Sequence, residues 1–334
     1  MAATKVLVVD DSMTMRALIS GALERIPGVE VVGLADGAAE AREMVETLKP
    51  DVMTLDIEMP GMSGIQYLAE IMAKKPMPVI MFSTRTTAGA EDSVEALRLG
   101  AVDCFPKPKV ASPAELDAII AKLGKRIKAA KGMEQRAPAP AAPPRPAAAA
   151  LDWNGRFIAV GADASSTQGL FHLFGSFPAD CPPVVVVQHL GPGLLESMVH
   201  KFAEQVAPKV VIASDGMALE RGTIHFAPQG EAHIVVDRWP DGRLRLLPRD
   251  PVCGERPSIS LLFASTARAA AAEAVGLLMM PSTDDGATGI KAVLASGGHG
   301  VAQADTGYTL TRRIAAQPVD TATLATTMLK LCTK

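Results

Sequence analysis

Residues 51–64 read D51-V-M-T-L-D-I-E-M-P-G-M-S-G64. A strand-like run from Val52 to Leu55 ends on an acid, Asp56, and passes through a Pro/Gly turn into a new helical pattern. A buried strand that presents a carboxylate at its C-terminal end and leads into a helix is the repeating unit of a parallel α/β sheet. The same unit recurs on both sides. Residues 6–9, 29–33, 79–82 and 102–105 read as further strands, and amphipathic segments at 14–25, 37–48, 64–73 and 88–99 alternate with them. This alternation predicts a parallel sheet with helices on both faces, with functional groups gathered at the strands' C-terminal ends.

The chain has 334 residues, and about 150 residues per domain suggests two domains. Hydrophobic residues make up 48% and charged residues 21%, enough apolar content for a core in each half. A net charge of −3 and a pI near 6.1 give no electrostatic case for nucleic acid or an anionic membrane surface. Cysteines at 104, 181, 253 and 332 form no C-x-x-C pair, so neither a zinc site nor a disulfide framework is indicated. A reducing, cytoplasmic setting fits this usage. The N-terminus enters a strand almost at once, without a secretory leader pattern. The Ala-rich stretch 258–281 is interrupted by Arg268 and Glu273, which argues against membrane insertion.

Composition changes at A137-P-A-P-A-A-P-P-R-P-A-A-A-A150. Repeated proline forbids a continuous helix and favours an extended spacer. The expected organisation is a first domain at 4–124, a linker at 125–150 and a second domain at 151–334. In the second domain, 157–160, 184–188, 210–213, 223–226, 233–236, 244–247 and 275–279 read as strands, and helices are expected at 166–176, 192–206, 258–273, 286–296 and 318–331. The runs at 233–236 and 244–247 flank W-P-D-G and read as a hairpin. The predicted fold is a mainly parallel sheet with this antiparallel appendage.

Asp10 and Asp11 end the first predicted strand and Asp56 ends the third, so all should converge on one sheet edge. Crowded carboxylates repel, and a hard dication such as Mg²⁺ relieves the repulsion. Ser83 and Lys107 end the fourth and fifth strands. A hydroxyl and a cation facing a carboxylate–Mg²⁺ cluster suit phosphoryl transfer onto Asp56. Taken singly, an acidic pair after a strand is a solvated cap and a lysine at a strand end is surface. The ordered set on alternating βα units is more specific. "VLVVDDS", "DVMTLDIEMPGMSG", "VIMFSTRT" and "CFPKP" resemble the receiver domain of two-component response regulators, with a flavodoxin-like sheet. The resemblance implies Asp56 as phosphoacceptor. It implies Mg²⁺ held by Asp11, Asp56 and the Glu58 carbonyl with Asp10 in support, Ser83 as switch hydroxyl, and Lys107 paired with the phosphoryl group. Cys104 stands where receivers often carry an aromatic switch residue.

Three loops of the second domain converge in the same way. V160-G-A-D-A-S-S-T-Q-G169 is a strand, a turn at Asp163 and a helix start; V-V-V-Q-H-L-G-P-G presents His189; S-T-D-D-G-A-T-G presents Asp285. Nucleophile, base and orienting acid on loops at one sheet edge would make a hydrolase triad. Together with R256-P-S258 and "IHFAPQG" at 224–230, these loops resemble the chemotaxis receptor methylesterase family, in which a receiver is linked to a Rossmann-like α/β esterase domain. That resemblance implies demethylation, and in many members deamidation, of methyl-accepting chemoreceptors, under phosphorylation by a chemotaxis histidine kinase.

The sequence departs from the family at the nucleophile. Where the family reads G-A-S-T-G-G, this chain reads G161-A-D-A-S-S166, with Asp163 in the serine's place. The residues before Asp285 and the segment Y308-T-L-T-R-R-I-A315 also depart from the family's T-G-M-G-N-D-G and W-G-M-P. A carboxylate only accepts hydrogen bonds, so Asp163 offers His189 no proton to remove. At a helix start it is an N-cap. Ser165 or Ser166 would substitute only from further along the chain. Two readings follow: an esterase using Ser165 or Ser166, or a degenerate effector that binds partners in a phosphorylation-dependent way. His225 and His233 are expected at the core edge or partly exposed, and His299 in a turn. The many Met and Ala side chains read as helix packing.

Overall fold

The structure is a computed structural model that describes residues 3–84, 86–107, 113–131, 151–191, 193–279, 284–304 and 316–334. The chain divides into two compact units on either side of residue 138.

The first unit runs β1 (Thr4–Val9), α1 (Met13–Glu24), β2 (Val29–Ala35), α2 (Ala38–Leu48), β3 (Val52–Asp56), α3 (Gly64–Lys74), β4 (Val79–Ser83), α4 (Thr87–Leu99), β5 (Asp103–Pro106) and α5 (Pro113–Ala130). Its parallel strands lie in the order β2-β1-β3-β4-β5. This is the doubly wound order whose crevice opens at the carboxyl ends of β1 and β3. β3 and β4 are buried along their whole length, which is why both read as nearly unbroken apolar runs. The turn after β3 closes on a capping box: the Ser63 hydroxyl accepts from the Gln66 amide and the Gln66 side chain accepts from the Ser63 amide. Gly64 lies so close to this turn that a Cβ there would collide with the Asp56 carbonyl.

Helix α5 was not among the expected helices, and it continues past the expected domain end at 124. Ile120, Leu123, Ile127 and Ala130 are buried in the same core as Val6, Val8, Ile80 and Phe82. Burial of that face carries the helix to Ala130, and Arg126 on it pairs with Asp103 of β5 at 2.7 Å. The Ala/Pro stretch 137–150 lies outside the described residues.

The second unit runs β6 (Phe157–Asp163), α6 (Thr167–Gly175), β7 (Val184–His189), α7 (Leu195–Gln205), β8 (Lys209–Ile212), β9 (Thr223–Phe226), β10 (His233–Val236), β11 (Leu244–Leu247), α8 (Ile259–Ala270), β12 (Ala274–Met279), α9 (Ala287–Ala295), β13 (His299–Gln303), β14 (Gln317–Val319) and α10 (Thr321–Leu331). The seven-stranded sheet has the order β14-β13-β12-β6-β7-β9-β8 with every pairing parallel, and β10 and β11 form the antiparallel hairpin. From β6 the chain winds outward through β7 on one side and returns through β12 on the other. The carboxyl ends of β6, β7 and β12 therefore flank the reversal of strand order, where α/β sheets place their sites.

Several expectations need correction. His299 opens strand β13 and is not a turn residue. His225 and His233 are buried, with 1% and 0% exposure, because backbone carbonyls reach their ring nitrogens. A 3-10 turn at Ala164–Ser166 precedes α6, so the helix begins one residue later than expected.

Candidate functional site

In the first unit, β1 and β3 bring Asp10, Asp11 and Asp56 together, with carboxylate oxygens of all three within 4.8 Å of one another. Asp10 and Asp56 are buried and Asp11 is exposed. The Asp10 and Asp11 carbonyls accept from the Arg16 guanidinium at 2.7 and 3.1 Å, which fixes the backbone that carries both acids. Lys107 Nζ donates to Asp56 Oδ2 at 2.6 Å and lies 3.4 Å from Asp10 Oδ2. The Glu58 amide donates to Asp56 Oδ1 at 3.2 Å. Burial, then the charge of Asp10, push the Asp56 carboxyl up to about 6 against the opposing pull of Lys107. Apart from its ion pair with Lys107, the buried Asp10 Oδ2 has no hydrogen-bond partner among the described residues. Three carboxylates this close, facing a single lysine, make an all-oxygen cluster that fits a hard dication such as Mg²⁺. A cavity of about 560 Å³ lined by Asp11, Glu58, Ser63, Asp92 and Lys107 opens beside it.

Ser83, at the end of β4, is 3.0 Å from the Ser93 hydroxyl of α4. Cys104 lies behind them, its thiol donating to the Ser93 carbonyl at 3.4 Å. Burial raises that thiol's pKa well above its ordinary value.

In the second unit, Asp163 ends β6, is 1% exposed and sits in register with His189 at the end of β7. One oxygen, Oδ1, accepts from the Ser165 amide at 3.0 Å, the Ser165 hydroxyl at 2.6 Å and the Ser166 hydroxyl at 3.4 Å. This is the N-cap geometry expected of an aspartate at a helix start. The Ser166 hydroxyl is also 2.8 Å from the Met279 carbonyl at the end of β12.

His189 Nε2 lies 2.9 Å from the Pro257 carbonyl and 3.6 Å from Asp285 Oδ2. A carbonyl only accepts, so Nε2 carries the hydrogen and the lone pair of the neutral ring is on Nδ1. Asp285 is fully buried and accepts from the Ser258 hydroxyl at 2.9 Å, the Ile259 amide at 2.7 Å and the Ser260 amide at 2.8 Å. The first turn of α8 thus satisfies Asp285, and the dipole of that helix start favours its negative charge. Asp163 and His189 end neighbouring strands, and Asp285 reaches the same sheet edge beside His189. Among the described residues, the hydrogen bonds of the Ser165 and Ser166 hydroxyls run to Asp163 and Met279, and those of His189 do not include either serine. Residues 280–283 before Asp285 and the 308–315 segment lie outside the described residues.

Residues 6–121 match the family model of the response regulator receiver domain, and residues 158–319 match that of the CheB methylesterase. The chain is 43% identical over 299 residues to a Caulobacter vibrioides protein named protein-glutamate methylesterase/protein-glutamine glutaminase 1, covering 89% of this chain and 86% of that one. A Rhizobium johnstonii protein of the same name is 42% identical over 291 residues, covering 86% and 83%. The chain belongs to the CheB methylesterase family. The second unit is similar in fold to the crystal structure of the Thermotoga maritima CheB methylesterase catalytic domain, with a TM-score of 0.50 at 18% identity over 53% of this chain and 99% of that one. Within this CheB-type chain the sequence reading left the Pro257 carbonyl and the α8 amides unassigned. The signal was present: R256-P-S258 before an Ala-rich helical run is an N-cap signature, and Ser258 is the N-cap of α8. Among the described residues, no helix is long and apolar enough to cross a membrane.

Proposed function

We propose that this protein is a phosphorylation-controlled CheB-type effector that engages chemoreceptor glutamyl side chains at the Asp163–His189–Asp285 edge without hydrolysing them. Its working place on this reading is the cytoplasm. Its phosphodonor is a chemotaxis-type histidine kinase, and its target is a methyl-accepting chemoreceptor. Asp56 accepts the phosphoryl group and Lys107 pairs with it; Asp10, Asp11, Asp56 and the Glu58 carbonyl would hold Mg²⁺, whose charge would offset that of the incoming phosphoryl oxygens. Ser83 answers the phosphoryl group with its hydroxyl.

The observation that carries the effector half is the commitment of the Ser165 hydroxyl to Asp163 at 2.6 Å. A serine becomes a nucleophile when a base holds its proton. Here the group that holds the proton is the Asp163 carboxylate, a weaker base than an imidazole, and His189 turns its N–H to a carbonyl instead of facing the serine. Acyl attack by Asp163 itself would yield a mixed anhydride. The test is methyl release from methylated receptor by the Asp56-phosphorylated protein. Background release from the wild type, with release restored in Asp163→Ser, is the expected result. Robust wild-type release that disappears in Ser165→Ala or Ser166→Ala overturns the reading. For the first unit, acyl-phosphate labelling should vanish in Asp56→Asn, and its persistence would assign the phosphoacceptor elsewhere.

A further inference from the structure

His233 opens β10 and is fully buried, well away in sequence from every group assigned so far. Its ring bridges two backbone segments. The Ser258 amide donates to Nδ1 at 3.0 Å, and Nε2 lies 2.9 Å from the Asp250 carbonyl. An amide can only donate and a carbonyl can only accept, so both contacts fix the same state: a neutral ring with the lone pair on Nδ1 and the hydrogen on Nε2.

What the ring holds is the short stretch that serves the effector edge. Pro257 supplies the carbonyl that takes the His189 N–H. Ser258 supplies a hydroxyl to Asp285, and Ile259 and Ser260 supply amides to the same carboxylate. The residues that orient the base and the acid are therefore consecutive, and the peptide joining Pro257 to Ser258 is pinned by Nδ1 of His233. The Pro257 carbonyl and the Ser258 amide belong to one planar peptide unit, so turning one turns the other. Without the Nδ1 acceptor the Ser258 amide would be buried and unpaired, and that unit would rotate to find another partner.

We infer that His233 is a positioning residue for the His189–Asp285 pair, acting through the Pro257–Ser258 peptide. The inference rests on reading that pair as the effector site. It does not depend on whether the site hydrolyses esters, because its readout is the His189 ring and not methyl release.

The experiment uses the full chain with ¹⁵N-labelled histidine, six residues in all. The wild type should show a ring N–H resonance for His189, assigned by its loss in His189→Gln. His225, whose Nδ1 is 3.0 Å from the Val184 carbonyl, supplies an internal reference for an intact core. In His233→Leu the His189 resonance should be lost while that of His225 persists. In His233→Asn the amide oxygen can take the place of Nδ1 as acceptor, and the His189 resonance should return. A folded His233→Leu protein that keeps the His189 resonance overturns the inference, as does its absence from the wild type. Should His233→Leu lose both resonances by unfolding, His233→Asn decides alone. There, retention of the His189 signal without the Asp250 contact supports the inference, and loss beside an intact His225 signal overturns it.

Discussion

At the scale of single residues, two aspartates at strand ends meet opposite circumstances. Asp56 is buried beside Asp10, and its carboxyl rises to about 6. The folded metal-free chain therefore binds this proton more tightly than the unfolded chain, whose carboxyl titrates near ~4. The resulting stability is fully present below about pH 4 and is lost as pH rises through about 6. Thermal unfolding without metal should show this fall between about pH 4 and 6, flattened in Asp56→Asn and offset by Mg²⁺ in the wild type. Protons and the dication compete for the same oxygens, so Mg²⁺ should bind more weakly at pH 5 than at pH 7, as a fluorescence or calorimetric titration would read. Asp163 instead has amide and hydroxyl donors arranged around one oxygen. Removing them should cost stability: Asp163→Ala should lower unfolding free energy by about 1 kcal/mol, the usual worth of an N-cap, in a denaturant titration. These motif acids were legible in sequence because each follows an apolar strand. The surroundings of His225 and His233 were not, because their burial depends on carbonyls at Val184 and Asp250 that the topology delivers from distant positions.

At the scale of elements, long alternating segments were the readable part. All the expected strands of the first unit form, since a sheet covered on both faces leaves unbroken apolar runs in the sequence. Short or atypical elements escaped. β13 contains Gly300 and opens on a histidine, and β14 is three residues with Pro318 at its centre. Neither has the β-branched enrichment that marks a strand. Helix α5 was obscured by its position between the Lys107 loop and the Ala/Pro stretch, although its buried positions carry a helical period. Ile127→Ala in the full chain should cost about 2–5 kcal/mol, the range for emptying a buried aliphatic site, measured by urea denaturation. A different failure is expected at the β3–α3 turn. In Gly64→Ala the added methyl would drive into the Asp56 carbonyl. Overpacking of this kind typically costs about 1–3 kcal/mol, and the displaced carboxylate should also weaken Mg²⁺ binding and acyl-phosphate labelling.

At the scale of the whole molecule, the chain carries a net charge of −3 without a basic excess that would draw it to nucleic acid. On the proposed reading, phosphorylation of Asp56 adds negative charge at the first unit's sheet edge, and the output is receptor binding by the second. Phosphorylated wild type should bind methylated receptor about tenfold more tightly than Asp56→Asn, a difference of about 1.4 kcal/mol, in a quantitative co-sedimentation assay. Unchanged binding would separate phosphorylation from the effector. The start of α8 has its own consequence in solution. The leading amides of a helix have no intrahelical partners and ordinarily trade their hydrogens with water quickly. At Ser258, Ile259 and Ser260 those amides instead donate to buried His233 and Asp285. Deuterium uptake there should be as slow as in a helix interior, so the first turn of α8 becomes a clock on how often the effector edge opens.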